Sequence, residues 1–364
     1  MNDISHCVEV HDFERMAHEA LPQPARDYYA GGAADEITLR ENVAAFQRTV
    51  LMPRVLVDVS RPEPGTTVLG ERLTLPLLIA PTAFHRMAHP DGEMATARAA
   101  AAASIAMVAS TIASCTLEEI AAQGPSPRWF QLYVHTDRSL TERLVRRAEA
   151  AGYTALALTV DAPRFGRRYA DMRNHFTLPD GITVANLAEE GREKMDIVPG
   201  GSGLAQFIAK QFDASLNWSD FDWLRSITSL PILVKGVVRA DDARKAVDHG
   251  AAGVIVSNHG GRQLDTAPAT LDALPAIAEA IGHQAEVLMD GGVRRGTDIL
   301  KALALGAKAV LVGRPIIWGL AAGGEAGVSR VLQLYREEFE LSLILAGCAS
   351  VADITRDLIR QRTS

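Results

Sequence analysis

Apolar residues gather in eight short runs: LPLLIAPTA (75–83), IAMVAST (105–111), WFQLYV (129–134), ALALTVDAP (155–163), LPILVKGV (230–237), AGVIVSNHG (252–260), EVLMDGG (286–292) and AVLVGRP (309–315). Runs that are apolar at successive positions, rather than alternating with polar ones, suit parallel strands covered on both faces. Helical stretches with recognisable ends lie between them. SLTERLVRRAEAAG opens with a Ser139-to-Glu142 capping-box spacing and closes on Gly152, and TLEEIAAQG opens with Thr116 and Glu119. Gly250 and Gly306 stand just before strands, where a helix C-terminal glycine belongs. Alternation of strand and helix at a step of roughly 22 to 35 residues predicts an α/β fold, a (β/α)8 TIM barrel over residues 75–345. A doubly wound open sheet is the alternative. Residues 1–74 precede the barrel as an N-terminal helical extension, with helix-like DFERMAHEALP and DEITLRENVAAFQR. The step from strand four to strand five is too long for one helix. Its charged, glycine-rich stretch NLAEEGREKMDIVPGGSG (186–203) is expected to form a mobile lid over the barrel mouth. Residues 1–364 read as one domain.

Composition narrows the function. The chain has 364 residues, 48% of them hydrophobic, enough for a large core, and a net charge of -7. No Lys/Arg-rich block offers a surface for nucleic acid or an anionic membrane, so small-molecule partners are expected. The N-terminus is charged throughout, and no later window reaches about 20 uninterrupted apolar residues, so a soluble, cytoplasmic protein is expected. Cys7, Cys115 and Cys348 are odd in number and far apart, which suits reduced thiols. The histidines include no HxH or HExxH spacing, and His85 and His89 are followed by Pro90, so no metal site is expected.

In a barrel of this kind the C-terminal strand ends face one opening, so polar residues that end apolar runs converge there. The ends supply Thr82, Ser110, Thr111, Gln131, Tyr133, Thr159, Asp161, Lys235, Ser257, His259, Arg262, Asp290, Arg294 and Arg314. Each alone has a structural explanation, since strand-end hydroxyls satisfy backbone groups and single cations reach solvent. The set together points to a site. Gly291, Gly292 and Gly313 with Arg294 and Arg314 follow strands seven and eight, where barrels commonly bind phosphate. His259 is the candidate general base, with Asp161 to orient it. Arg262 and Arg168 could clamp a carboxylate by forked hydrogen bonds, which points to an organic acid. Lys235 has two readings: a Schiff-base amine, or a fixed cation that stabilises developing negative charge.

The segments DYYAGGAADEITLREN, IAPTAFHRMAHPDGE, WFQLYV, LTVDAPRFGRR, ILVKGV, SNHGGRQLD, DGGVRRGTDILKALALGA and VGRP resemble, in order, those of the FMN-dependent L-2-hydroxy acid oxidases and dehydrogenases. This family includes glycolate oxidase, lactate oxidase, mandelate dehydrogenase and hydroxymandelate oxidase, and the likeness spans nearly the whole chain. The resemblance implies FMN as cofactor. Pro81, Thr82 and Ala83 would line the flavin, and Ser110, Gln131, Tyr133, Thr159 and Ser257 would contact it. Lys235 would be the fixed cation beside its N1 and O2. Asp290, Gly291, Gly292, Arg294, Gly313 and Arg314 would hold the ribityl phosphate. Tyr28, Tyr133, Arg168 and Arg262 would bind the substrate, with His259 removing a proton and Asp161 behind it.

The implied reaction is oxidation of an L-2-hydroxy acid to the 2-oxo acid, with oxygen or another acceptor taking the electrons and hydrogen peroxide as the oxygen product. Oligomers are usual in the family, so a homotetramer or octamer is expected. Ile112 stands where glycolate oxidase has tryptophan, which moves the expectation from glycolate toward lactate-like aliphatic acids, then mandelate-like aryl acids. Ala83 tilts toward an oxidase, and Phe84 would add an apolar wall. A non-redox isomerase or aldolase using Lys235, and a binding protein without catalysis, are the competing readings.

Overall fold

The computed structural model describes residues 3–191 and 202–361. Eight parallel strands close into a barrel: β1 Leu77–Ile79, β2 Met107–Ser110, β3 Arg128–Leu132, β4 Ala155–Thr159, β5 Ile232–Val237, β6 Gly253–Val256, β7 Glu286–Asp290 and β8 Ala309–Val312. Each pairs with the next in chain order, and β8 returns to β1 through Val310 and Leu77. Closure excludes the open sheet.

The apolar runs are continuous because both strand faces are buried. Leu78, Val108, Leu233, Ile255, Leu288 and Leu311 point into the barrel and form one cluster. Their neighbours Leu77, Met107, Val234, Val254, Val256 and Val310 face outward and join a second cluster with the surrounding helices. A short hairpin, Thr66–Val68 and Glu71–Leu73, adds Val68 and Leu73 to the inner cluster. It is tied to the strand starts, with Leu69 N donating to Glu286 Oε2 at 2.9 Å and Trp129 Nε1 to Glu71 Oε2 at 3.3 Å. The N-terminal end of the barrel is therefore plugged, and the opposite end is left for chemistry. The reading of residues 1–74 as helical missed this hairpin, whose three-residue strands are too short to show a period.

The same segment holds α1 (Val10–Ala20), α2 (Gln23–Ala30) and α3 (Ile37–Arg48). The first and third match the helix-like stretches; α2, which carries Tyr28 and Tyr29, was not read from the pattern. Thr116 and Glu119 form the expected capping box: Glu119 N donates to Thr116 Oγ1 at 3.1 Å and Thr116 N to Glu119 Oε2 at 2.7 Å. The helix Arg138–Ala150 starts earlier than its Ser139-to-Glu142 spacing suggested. Asp137 is its cap, accepting from Ser139 N at 3.1 Å and from Leu140 N at 3.4 Å.

Between β4 and β5 the chain forms the helices Tyr169–Arg173, Gly203–Gln211 and Trp218–Ile227 and a 3-10 turn, Ala185–Glu190. Most of the expected lid, residues 192–201, lies outside the described residues. Cys7, Cys115 and Cys348 are buried free thiols. Among the described residues no helix is long and apolar enough to cross a membrane.

Candidate active site

A cavity with about 1110 Å³ of empty space, its mouth included, opens at the C-terminal ends of the strands. Tyr28, Pro81, Thr82, Ala83, Ser110, Gln131, Tyr133, Thr159, Arg168, Lys235, His259, Arg262, Asp290, Gly291, Gly292, Arg294, Gly313 and Arg314 all line it. Asp161 and Ser257 stand behind this wall. Two other expectations are corrected. Phe84 is no pocket wall, being fully buried with its ring 6.2 Å from that of Tyr28. Thr111 turns away, donating through Oγ1 to the Gln131 carbonyl at 2.6 Å.

His259 leaves β6 in the left-handed region, with φ of 58°. Its Nδ1 lies 2.9 Å from Asp161 Oδ1 and its Nε2 3.5 Å from the Tyr133 hydroxyl. A carboxylate only accepts, so Nδ1 carries the proton and the Nε2 lone pair faces the cavity. Asp161 reaches the imidazole because Gly236 has no side chain: a Cβ there would sit 2.6 Å from Asp161 Cβ. Burial lowers the pKa of His259, aided by Lys235 and Arg168 and opposed by Asp161. Burial would raise that of Asp161, but the imidazole and Lys235 prevail and hold it below the usual carboxylate value.

Lys235 is buried, with Nζ donating to Ser257 Oγ at 2.9 Å and lying 3.0 Å from Asp290 Oδ2. Burial works against its charge, yet Asp290 and Asp161 outweigh it and raise the pKa. A protonated ammonium is a poor nucleophile, so the geometry favours the fixed cation over the Schiff-base amine. Gln131 is held from both sides, its Nε2 donating to Thr159 Oγ1 at 3.0 Å and its Oε1 accepting from Ser110 Oγ at 3.2 Å.

Four arginines face the cavity. Arg262 donates through Nη1 to the carbonyls of Tyr28 at 2.5 Å and Gly31 at 2.9 Å, with its guanidinium 4.8 Å from the centre of the Tyr28 ring. Arg168 lies 3.7 Å from the centre of the Phe165 ring, and its buried Nη1 makes no hydrogen bond. Burial and the neighbouring Arg262 push its pKa down to about 9, so it remains charged at neutral pH. An incoming carboxylate would relieve both pressures. Arg314 is engaged by protein carbonyls: Nε donates to Tyr29, Nη1 to Gly260 and Nη2 to Gly31, all within 3.0 Å. Arg294 stands over the Trp318 ring at 4.9 Å.

Five cations against one lining carboxylate make this a cavity for anions. Its floor suits a large planar group with a phosphate tail. The backbone is bare at Gly291, Gly292 and Gly313, close to Arg294 and Arg314, as a phosphate cradle requires. The polar chain of Ser110, Gln131 and Thr159 and the Lys235 ammonium provide donors and acceptors for a heterocycle.

Sequence reasoning missed several residues here. Ile208 comes from the helix Gly203–Gln211, Phe212 from the residue that ends it, and Phe165 from the loop after β4; with Ile112 they form an apolar wall. Phe212 stacks on Tyr133, ring centres 4.4 Å apart. Asp171 is almost fully buried, 3.8 Å from Arg168 Nη1, and its oxygens accept no hydrogen bond. The i,i+3 spacing from Arg168 was the one available signal for it.

Comparison with known proteins agrees with this geometry. Residues 17–361 match the family described as FMN-dependent dehydrogenase. Glycolate oxidase 1 of Zea mays is 55% identical over 356 residues, covering 98% of this chain and 95% of that protein. An L-lactate oxidase of Nostoc is 54% identical over 358 residues, covering 97% and 98%. The crystal structure of mandelate oxidase with (S)-4-hydroxymandelic acid superposes with a TM-score of 0.93 at 44% identity, covering 97% of this chain and 98% of that one. A closed barrel, an anion-binding cavity and a match that runs nearly end to end agree: the chain belongs to the FMN-dependent dehydrogenase family and takes FMN as its cofactor.

Proposed function

We propose that the protein oxidises an L-2-hydroxy acid to the 2-oxo acid with dioxygen as acceptor. The acid loses two electrons and two protons, and oxygen takes them up as hydrogen peroxide. The observation that carries this reading is His259, braced by Asp161 at 2.9 Å and facing a cavity that also holds Arg168 and Arg262. FMN, when bound, relays the two electrons between the acid and oxygen. It would be held by the Gly291–Gly292 and Gly313 loops with Arg294 and Arg314, and by the Lys235, Gln131, Ser110 and Thr159 groups. Arg168 and Arg262 bind the substrate carboxylate and so place the carbinol carbon beside Nε2 of His259. His259 accepts a proton there, Asp161 stabilises the resulting imidazolium, and Tyr133 orients the substrate oxygen by its hydroxyl.

Lactate-like aliphatic acids are the favoured substrates. The wall of Ile112, Phe165, Ile208 and Phe212 supports this, because an acid without a side chain leaves it unfilled. Aryl acids are the second reading, supported by the likeness to mandelate oxidase. The deciding experiment is anaerobic bleaching of the bound flavin by L-lactate, glycolate, (S)-mandelate and (S)-4-hydroxymandelate, followed by admission of oxygen. L-Lactate should exceed glycolate in kcat/KM by roughly 10-fold, the worth of a methyl contact in an apolar pocket. No bleaching by any of the four acids would sink the proposal, and slow reoxidation by oxygen would replace the oxidase with a dehydrogenase.

A further inference from the structure

The loop that carries the base is held from outside the barrel. His259, Gly260 and Gly261 follow one another with φ of 58°, 63° and 76°. For histidine this left-handed path is strained, and it persists only where the surroundings impose it. Asn258 spans the turn, its Oδ1 accepting from Gly261 N at 3.1 Å. That side chain is in turn paired with Asn42 of α3. Asn42 Nδ2 donates to Asn258 Oδ1 at 2.9 Å, and Asn258 Nδ2 donates to Asn42 Oδ1 at 2.8 Å. Asn258 Nδ2 also donates to the Pro268 carbonyl at 3.0 Å, and Asn42 Oδ1 also accepts from Thr270 N at 3.3 Å.

The orientation of both amides is settled by these outer partners. A backbone N–H only donates and a carbonyl only accepts, so neither amide can flip without losing its bonds. Both side chains are buried, at 2% exposure for Asn42 and 6% for Asn258, which leaves no water to replace a lost partner.

We infer that Asn42, in the N-terminal extension, is a positioning residue for His259. It fixes the Asn258 amide, the amide fixes the left-handed turn, and the turn sets the direction in which the imidazole enters the cavity. The inference rests on reading His259 as the base.

The test compares Asn42→Ala, Asn42→Asp, Asn258→Ala and the double variant Asn42→Ala/Asn258→Ala, each saturated with FMN. Misplacement of a reacting group predicts that Asn42→Ala lowers kcat between about 10- and 100-fold. KM should move by less than about three-fold, because Arg168 lies on another loop and Arg262 keeps its bonds to the Tyr28 and Gly31 carbonyls. The double variant should fall no further than Asn258→Ala, since both act through one contact. Asn42→Asp replaces the donor by an acceptor facing Asn258 Oδ1 and should change kcat in the same direction.

The inference is overturned if kcat of Asn42→Ala stays within about two-fold of the parent. It is also overturned if the losses multiply in the double variant, or if kcat falls only in proportion to flavin lost. Should Asn42→Ala fail to fold, an unchanged kcat in Asn42→Asp overturns it. Failure of both to fold while Asn258→Ala folds assigns Asn42 to stability instead, and also overturns it. The His259 ring titration, followed by NMR in the FMN-loaded protein, is a readout that needs no turnover. It should shift in Asn42→Ala, or in Asn42→Asp where only that folds, and an unmoved titration rejects the inference. A parent that oxidises no hydroxy acid defeats the proposed function, while the NMR comparison still decides the role of Asn42.

Discussion

Burial pushes His259 toward its neutral form, and the carboxylate of Asp161 restrains that push without reversing it. The proposed base is therefore neutral at neutral pH, and its pKa falls below the ordinary imidazole value of about 6.5. kcat/KM should rise with pH along a limb centred below that value and be flat through neutrality. A limb centred above pH 7 would assign the titration to another group. Asp161→Asn removes the raising influence, so the limb should move further toward acid while turnover drops. His259→Gln should retain yellow flavin and lose turnover by about 10²- to 10⁴-fold, the usual contribution of a general base; undiminished turnover would remove His259 from the mechanism. At this scale the sequence was informative wherever chemistry sits at a strand end, since position alone marks Lys235, His259 and Asp290. It was uninformative for Asn42, which lies on α3 and meets the site through a contact that no local pattern encodes, and offered only the i,i+3 spacing from Arg168 for Asp171.

Among elements, the loop after β7 is closely constrained by α3. Gly292 has φ of 85°, and a Cβ there would stand 2.0 Å from the Asn42 carbonyl. Gly292→Ala must move either α3 or the loop proposed to hold the phosphate. FMN affinity, followed by flavin fluorescence, should weaken by about 5- to 150-fold, in line with about 1–3 kcal/mol of backbone strain. An unchanged Kd would show that the loop yields without disturbing the cradle. The strands were legible because burial on both faces leaves continuous apolar runs. The true start of the helix Arg138–Ala150 was misread because Asp137 and Ser139 are both good caps, and only the hydrogen bonds choose between them. Helix α2 was missed because its charged and aromatic residues follow no simple apolar stripe.

For the whole molecule, stability and chemistry occupy opposite ends of the barrel. Trp129 is 1% exposed at the plugged end, packed with Val68, Leu73 and the strand starts. Trp129→Ala should cost about 3–5 kcal/mol in denaturant unfolding, as large buried aromatics do. Turnover per folded, flavin-loaded enzyme should change little, because the cavity is lined from the other end. A stability loss below about 1 kcal/mol would mean that the hairpin does not seal the floor.

The order of the barrel strands, the barrel they build and the polar groups at one rim were all determined by the sequence, because each is written in local pattern or in position along a strand. Only the tertiary structure decided which groups touch. It brought Asp161 against His259 across the bare backbone of Gly236, set Asn42 against Asn258, and raised an apolar wall from Ile112, Phe165, Ile208 and Phe212. These contacts join residues far apart in the chain, and their energies depend on distance and burial, quantities that exist only once the barrel has closed.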